Sequence, residues 1–163
     1  MASEETREIS LTVNDRTMTA TIPVRLTLAD FLRDHLDLVS VHLGCEHGVC
    51  GCCTVLLDGQ SVRSCLMFAV QAAGHRVETV ESLSPDPAAL HPIQEAFAEE
   101  HGLQCGFCTP AMVLRTKELM ASGDGRTDEE LREELSGILC RCTGYQNIVR
   151  AARAAMAAAD PKT

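Results

Sequence analysis

The sequence has no apolar run long enough to span a bilayer. Its longest helix-like apolar stretch, Ile148 to Ala159, is interrupted by Arg150 and Arg153. Nor does it open on a basic segment followed by an apolar core: Met1 to Ser10 carries three glutamates, which predicts no secretory leader. It has no excess of positive charge. Fourteen Lys and Arg stand against 23 Asp and Glu, a net charge of −9 that would repel phosphates and argues against nucleic acid; ordinary solubility accounts for it. It has no long internal repeat and no low-complexity tract beyond an Ala-rich last helix. No nucleophile beside a paired base is visible, so no catalytic residue is placed on this chain. It has no need of disulfides either: a chain of 163 residues buries about 70% of its unfolded surface.

Against these absences stand nine cysteines. With no export signal read, a disulfide framework is disfavoured and metal binding favoured, and the odd count leaves one thiol over in any all-disulfide scheme. The expected compartment is the cytoplasm, with export alongside a folded partner as the route left open.

The first half reads as strands and one main helix. Ile9 to Val13 alternates apolar and polar, Asn14-Asp15 is a turn signal, and Thr17 to Ile22 is the return strand. Thr27 to Asp30 fits a capping box before a stripe of Leu28, Phe31, Leu32 and Leu36. Thr54 to Leu57, Asp58-Gly59 and Ser61 to Cys65 predict a tight hairpin, and Arg76 to Val80 a further strand. Ser84-Pro85-Asp86-Pro87 is a break, taken as a linker. Four helices are expected after it: Leu90 to Glu100; Ala111 to Met120, with Thr109-Pro110 as cap and first-turn proline; one from the Thr127 capping box towards Leu135; and one from about Gly144 to Ala159. Met112, Leu119 and Met120 lie at core spacing. The expectation is an α+β chain of two unlike domains, residues 1–83 and 84–163.

The cysteines fall into two groups. Cys45, Cys50 and Cys53 make C-x4-C-x2-C, with Cys65 beyond the hairpin, which is plant-type 2Fe–2S spacing. A loop of that length can aim three thiolates inward while a neighbouring segment supplies the fourth. Gly44, Gly48 and Gly51 permit turns that a side chain would block. Cys52 is left over and, next to Cys53 in an extended loop, points to the other side as a small, partly buried thiol. His47 lies in the same loop, but four thiolates already complete a cluster there. The second group is Cys105 and Cys108 with Cys140 and Cys142, each pair preceding a helix. If those helix N-termini meet, four thiolates gather where the dipoles favour negative charge. One C-x-x-C alone would read equally as zinc or a redox dithiol.

These residues resemble a known family. The Cys45-to-Cys53 loop, Gln104-Cys105-Gly106-Phe107-Cys108-Thr109-Pro110 and Cys140-Arg141-Cys142-Thr143-Gly144-Tyr145 are similar to the small iron–sulfur subunit of the molybdenum hydroxylases. That family includes xanthine dehydrogenase, aldehyde oxidase and aerobic carbon monoxide dehydrogenase. The resemblance runs from about Ile9 to Ala159. It implies a plant-ferredoxin-like β-grasp domain, then a four-helix domain. It implies two 2Fe–2S clusters, on Cys45, Cys50, Cys53 and Cys65 and on Cys105, Cys108, Cys140 and Cys142. It further implies a large molybdopterin-binding subunit and a medium FAD-binding subunit as partners, in a dimer of heterotrimers. Electrons would run from the pterin through the helical-domain cluster and the plant-type cluster to FAD. Gln104 and Cys142 would touch the pterin, and the Glu46 to Val49 loop would face the flavin. Ala111, Ile138 and Cys52 stand where the family commonly has Gly, Asn, and Ala or Ser. Two other readings remain at this point: a free-standing two-cluster ferredoxin and a zinc-structured interaction module.

Overall fold

A computed structural model describes residues 4–84, 86, 89–123 and 125–159. Of the expected linker, Pro85 and Pro87 lie outside these residues, as does Asp124 of the Ser122 to Gly125 turn. Two antiparallel hairpins frame a five-stranded mixed sheet. β1 (Thr6–Val13) pairs with β2 (Arg16–Pro23), and β3 (Thr54–Leu57) pairs with β4 (Gln60–Arg63). Both turns, Asn14-Asp15 and Asp58-Gly59, have positive φ at both central residues, the form whose twist matches that of the flanking strands. β5 (Arg76–Glu78) lies between the hairpins, parallel to β1 and antiparallel to β3, giving the order β2-β1-β5-β3-β4.

β5 is shorter than the expected Arg76 to Val80. The Asn14 side chain takes the strand's next residue: its Oδ1 accepts from the Thr79 amide at 2.9 Å and its Nδ2 donates to the Thr79 hydroxyl at 2.8 Å. The chain then turns as a 3₁₀ segment, Val80–Ser82. The helix on the sheet starts where the capping residues predict. Thr27 accepts from the Asp30 amide at 3.1 Å and caps α1 (Leu28–Asp30), which loosens into a π-helical turn, Phe31–His35. Leu28, Phe31 and Leu32 are fully buried against Ile9, Leu11, Ile22, Val55 and Val77.

Four helices follow: α2 (Pro92–Glu99), α3 (Thr109–Ala121), α4 (Asp128–Leu135) and α5 (Gln146–Ala159). Thr127 and Glu130 bond reciprocally at 3.2 and 2.7 Å, as the capping box predicts. Ile93, Phe97, Met112, Leu119, Leu131, Leu135 and Ile148 form their common core. One expectation is corrected. Thr109 is not the cap of α3: Cys108 holds that position, and Thr109 and Pro110 begin the helix. The Thr109 amide donates to the Gly106 carbonyl at 3.1 Å, so the Cys105–Cys108 loop winds directly into the helix and takes the cap position with it.

The sheet and the helices are docked through polar contacts. Glu118 of α3 accepts from the Ser61 amide (3.1 Å) and the Ser61 hydroxyl on β4, and pairs with Arg115 at 2.5 Å. Lys117 pairs with Glu78 of β5. Arg63 donates to Thr54 Oγ1 (2.6 Å) and to the Gly137 carbonyl (2.7 Å). Burial pushes the Glu118 carboxyl up, but the bonds from Ser61 and Arg115 outweigh it and hold the group below its ordinary range. A depressed carboxylate contributes stability above its unfolded-state pKa and loses it as pH falls through its folded-state value. Glu118→Gln is therefore expected to cost about 1–2 kcal/mol near neutral pH, allowing for solvent screening. Urea melts at about pH 7 and about pH 3 check this; an equal difference from wild type at both would show that the contact does not depend on the charge.

Candidate metal centre

The two cysteine groups are brought to neighbouring places by different means. The first loop is held by its own backbone: Glu46, Gly48 and Gly51 all have positive φ, and the chain wraps so that the Cys50 amide donates to Cys45 Sγ at 3.3 Å. Cys53 immediately precedes β3, and Cys65 lies in a 3₁₀ turn, Ser64–Leu66, just after β4; both are buried in the sheet core. In the second group, Cys108 caps α3 and is buried, and Cys140 is half-buried, while Cys105 and Cys142 are exposed.

Within each group the thiols come in pairs. Cys45 interacts with Cys50, Cys53 with Cys65, Cys105 with Cys142 and Cys108 with Cys140, and Cys52 also interacts with Cys50. Among the described residues no three Cys, His, Asp or Glu side chains converge as they would about one ion. Two groups of four thiols offer the eight thiolate ligands that two 2Fe–2S clusters would take.

The electrostatics favour the thiolate at Cys45, Cys105 and Cys140 and oppose it at Cys65, Cys108 and Cys142. Amide donation from Cys50 and then from His47 lowers the Cys45 thiol to about 6. The Phe107 amide, and then the Cys142 thiol, lower Cys105. Burial pushes Cys140 up, but the Thr143 hydroxyl and the amides of Thr143 and Cys142 outweigh it. Burial pushes Cys65 up to about 11 and Cys108 up to about 12. Amides aimed at sulfur in both groups are what an iron-bound thiolate needs.

Cys52 and Cys53 point to opposite sides, as adjacent residues of an extended loop do: Cys53 packs in the sheet core and Cys52 in the helical core. The Cys52 thiol lies 3.7 Å from the Cys50 carbonyl and 4.0 Å from that of Leu139, and burial pushes it up to about 12. Cys52→Ala is expected to leave both cluster EPR signals in place. Loss of the first cluster's signal would mean the register of the first loop is wrong.

The two groups touch. The Leu139 amide, next to Cys140, donates to the Cys50 carbonyl at 2.8 Å. His42 donates through Nδ1 to the Phe107 carbonyl at 2.6 Å and stacks on the Phe107 ring with centroids 4.7 Å apart. A Cβ on Gly44 would meet that ring at 3.3 Å and Cys50 Sγ at 3.2 Å. Nothing local in the sequence marks His42, because its partner lies 65 positions on.

Residues 11–82 match the 2Fe-2S iron-sulfur cluster binding domain family, and residues 79–153 match the [2Fe-2S] binding domain family. The chain is 53% identical over 146 residues to the caffeine dehydrogenase subunit gamma of Pseudomonas sp. strain CBB1, covering 88% of this chain and 87% of that one. It belongs to the iron–sulfur subunits of the molybdenum hydroxylases. To the nicotine 6-hydroxylase small subunit of Paenarthrobacter nicotinovorans, this iron–sulfur subunit is 53% identical over 144 residues, 88% of this chain and 86% of that one. Its fold superposes on the crystal structure of quinoline 2-oxidoreductase from Pseudomonas putida 86 with a TM-score of 0.88, at 43% identity over 94% of this chain and 95% of that one. The subunit is α+β, carries two 2Fe–2S-binding domains and serves an oxidoreductase complex as its electron-transfer part. No helix among the described residues is long and apolar enough to cross a membrane.

Proposed function

We propose that this subunit relays electrons from a molybdopterin centre on a large partner, through the cluster on Cys105, Cys108, Cys140 and Cys142, then through the cluster on Cys45, Cys50, Cys53 and Cys65, to FAD on a medium partner. Residues 1–83 and 84–163 are its two domains, one cluster in each. The complex is a cytoplasmic dimer of heterotrimers. An N-heterocycle as the substrate of the complex is supported by the names of two relatives, a caffeine dehydrogenase and a nicotine 6-hydroxylase.

The observation that carries the order is the exposure of one thiol pair. Cys105 and Cys142 are exposed, and Gln104 beside them is exposed as well. A thiolate that ligates iron and also accepts a hydrogen bond from a pterin gives a short route into that cluster. Phe107 (43% exposed), Leu103 (39%) and Leu90 (49%) flank this loop as apolar surface for a partner. Around the first loop, Val49 and Leu66 are more exposed, at 61% and 63%, and suit the contact with the flavin subunit. Between the clusters, the 2.8 Å bond from Leu139 N–H to the Cys50 carbonyl provides a path of covalent bonds and one hydrogen bond.

The test is Gln104→Leu, which removes a polar partner and no thiolate. It is expected to weaken pterin retention or slow reduction of the helical-domain cluster, by about 1–3 kcal/mol if a buried polar group is left unpaired. The plant-type cluster's spectrum should not change. Rapid-freeze EPR with substrate reads both clusters. If reduction from the molybdenum side were untouched and only flavin reduction slowed, the order would be reversed. Native purification with metal analysis separates this reading from a free-standing ferredoxin, which would come without molybdenum.

A further inference from the structure

Thr143 stands beside the half-buried Cys140, and Thr109 follows the buried Cys108 in the chain. Thr143 Oγ1 lies 3.1 Å from Cys140 Sγ. The same oxygen accepts from the Tyr145 amide at 3.1 Å. A thiolate that ligates iron has no proton of its own, so with Cys140 bound to a cluster the Thr143 hydroxyl is the donor of this contact. The arrangement is fixed from behind. Tyr145, at φ +66°, accepts from the Cys140 amide at 2.9 Å and donates to the Ile138 carbonyl at 3.1 Å through its phenol oxygen.

Thr109 follows Cys108, the other member of the pair. Its hydroxyl oxygen is the one buried side-chain oxygen without a protein partner among the described residues. The other buried threonines show what is ordinary: Thr116 donates to the Met112 carbonyl at 2.8 Å, Thr54 to the Gly51 carbonyl at 2.6 Å, and Thr79 accepts from Asn14. A buried hydroxyl without a partner calls for an explanation. Thr109 has been displaced from the cap position by Cys108, and so does not use its hydroxyl on the helix.

We propose that the Thr143 and Thr109 hydroxyls donate hydrogen bonds to the helical-domain cluster, through the sulfur on Cys140 and the sulfur side of Cys108, and hold its reduction potential above that of the same four thiolates without them. This rests on the assignment of Cys105, Cys108, Cys140 and Cys142 as that cluster's ligands. Reduction adds one negative charge, and a donor at sulfur stabilises the reduced cluster more than the oxidised one. Thr143 and Thr109 are positioning residues for the relay, setting how readily the first acceptor takes an electron.

The experiment is an EPR-monitored redox titration of the whole complex carrying Thr143→Val, Thr109→Val or Thr143→Ser. Each valine variant should lower the reduced-to-oxidised ratio of the helical-domain cluster roughly tenfold at the wild-type midpoint, a shift of about 59 mV to lower potential for one electron. The plant-type cluster should keep its midpoint, and Thr143→Ser should keep that of wild type. An unchanged midpoint in either valine variant with iron intact overturns the proposal, as does an equal shift of both clusters. Loss of that cluster's iron from both valine variants overturns it too, because a tuning donor is dispensable for loading. Failure of the ligand assignment itself is distinguishable: Cys108→Ala would then retain both clusters.

Discussion

Cys108→Ala should yield a protein with about two iron and two sulfide per chain in place of about four, retaining only the plant-type EPR signal. Cys108 is 6% exposed and pairs with Cys140 at the start of α3. Alanine removes one sulfur from a helical core that otherwise stands on Ile93, Phe97, Met112 and Leu131, so packing alone costs little. The larger loss is the iron. Binding a cluster to the folded state contributes to folding, and withdrawing one of its four thiolates forfeits that contribution. The variant should melt below wild type, and substrate should no longer reduce the plant-type cluster, since the path through Leu139 and Cys50 then begins at an empty place. Cys105→Ala is the companion variant: Cys105 is exposed, so it tests ligation without touching the core. Iron analysis and EPR of both decide. Four iron retained in either would sink the ligand assignment.

Gly51→Ala should separate the two halves of the molecule. Gly51 has φ +72°, a conformation that costs an L-residue about 1–2 kcal/mol. A Cβ there would lie 2.5 Å from the Gly137 carbonyl oxygen and 3.0 Å from the Ile138 Cα. Both are backbone atoms and cannot swing aside, so the methyl must push the Gly137 to Leu139 segment off the first loop. Overpacking adds about 1–3 kcal/mol, for a loss of roughly 2–5 kcal/mol in all. The movement also lengthens the Leu139-to-Cys50 hydrogen bond and strains that from Arg63 to Gly137. Both clusters should load, because no thiolate is removed. Magnetic interaction between the reduced clusters should weaken, and transfer between them should slow. Wild-type stability together with wild-type coupling in Gly51→Ala would show that the close approach has no consequence.

The sequence by itself determined the local parts. Two-residue turns at Asn14-Asp15 and Asp58-Gly59, the caps at Thr27 and Thr127, and the apolar stripes placed both hairpins and four helices, because each signal acts within a few residues of itself. Cysteine spacing separated two groups and left Cys52 outside them, since a loop's reach is a local property. Where local signals competed, reading along the chain failed. Thr109 has the side chain of a cap but yields the position to Cys108, and β5 stops early because Asn14, distant in sequence, claims Thr79. Only the tertiary structure brings Cys105 together with Cys142 and Cys108 together with Cys140, which lie far apart in sequence. It alone decided that Gly51 meets Gly137, that Leu139 bonds Cys50 and that His42 stacks on Phe107. Those contacts join the sheet to the helices across long stretches of chain. They are set by how two separately folded cores fit against each other, for which no spacing rule within one segment exists.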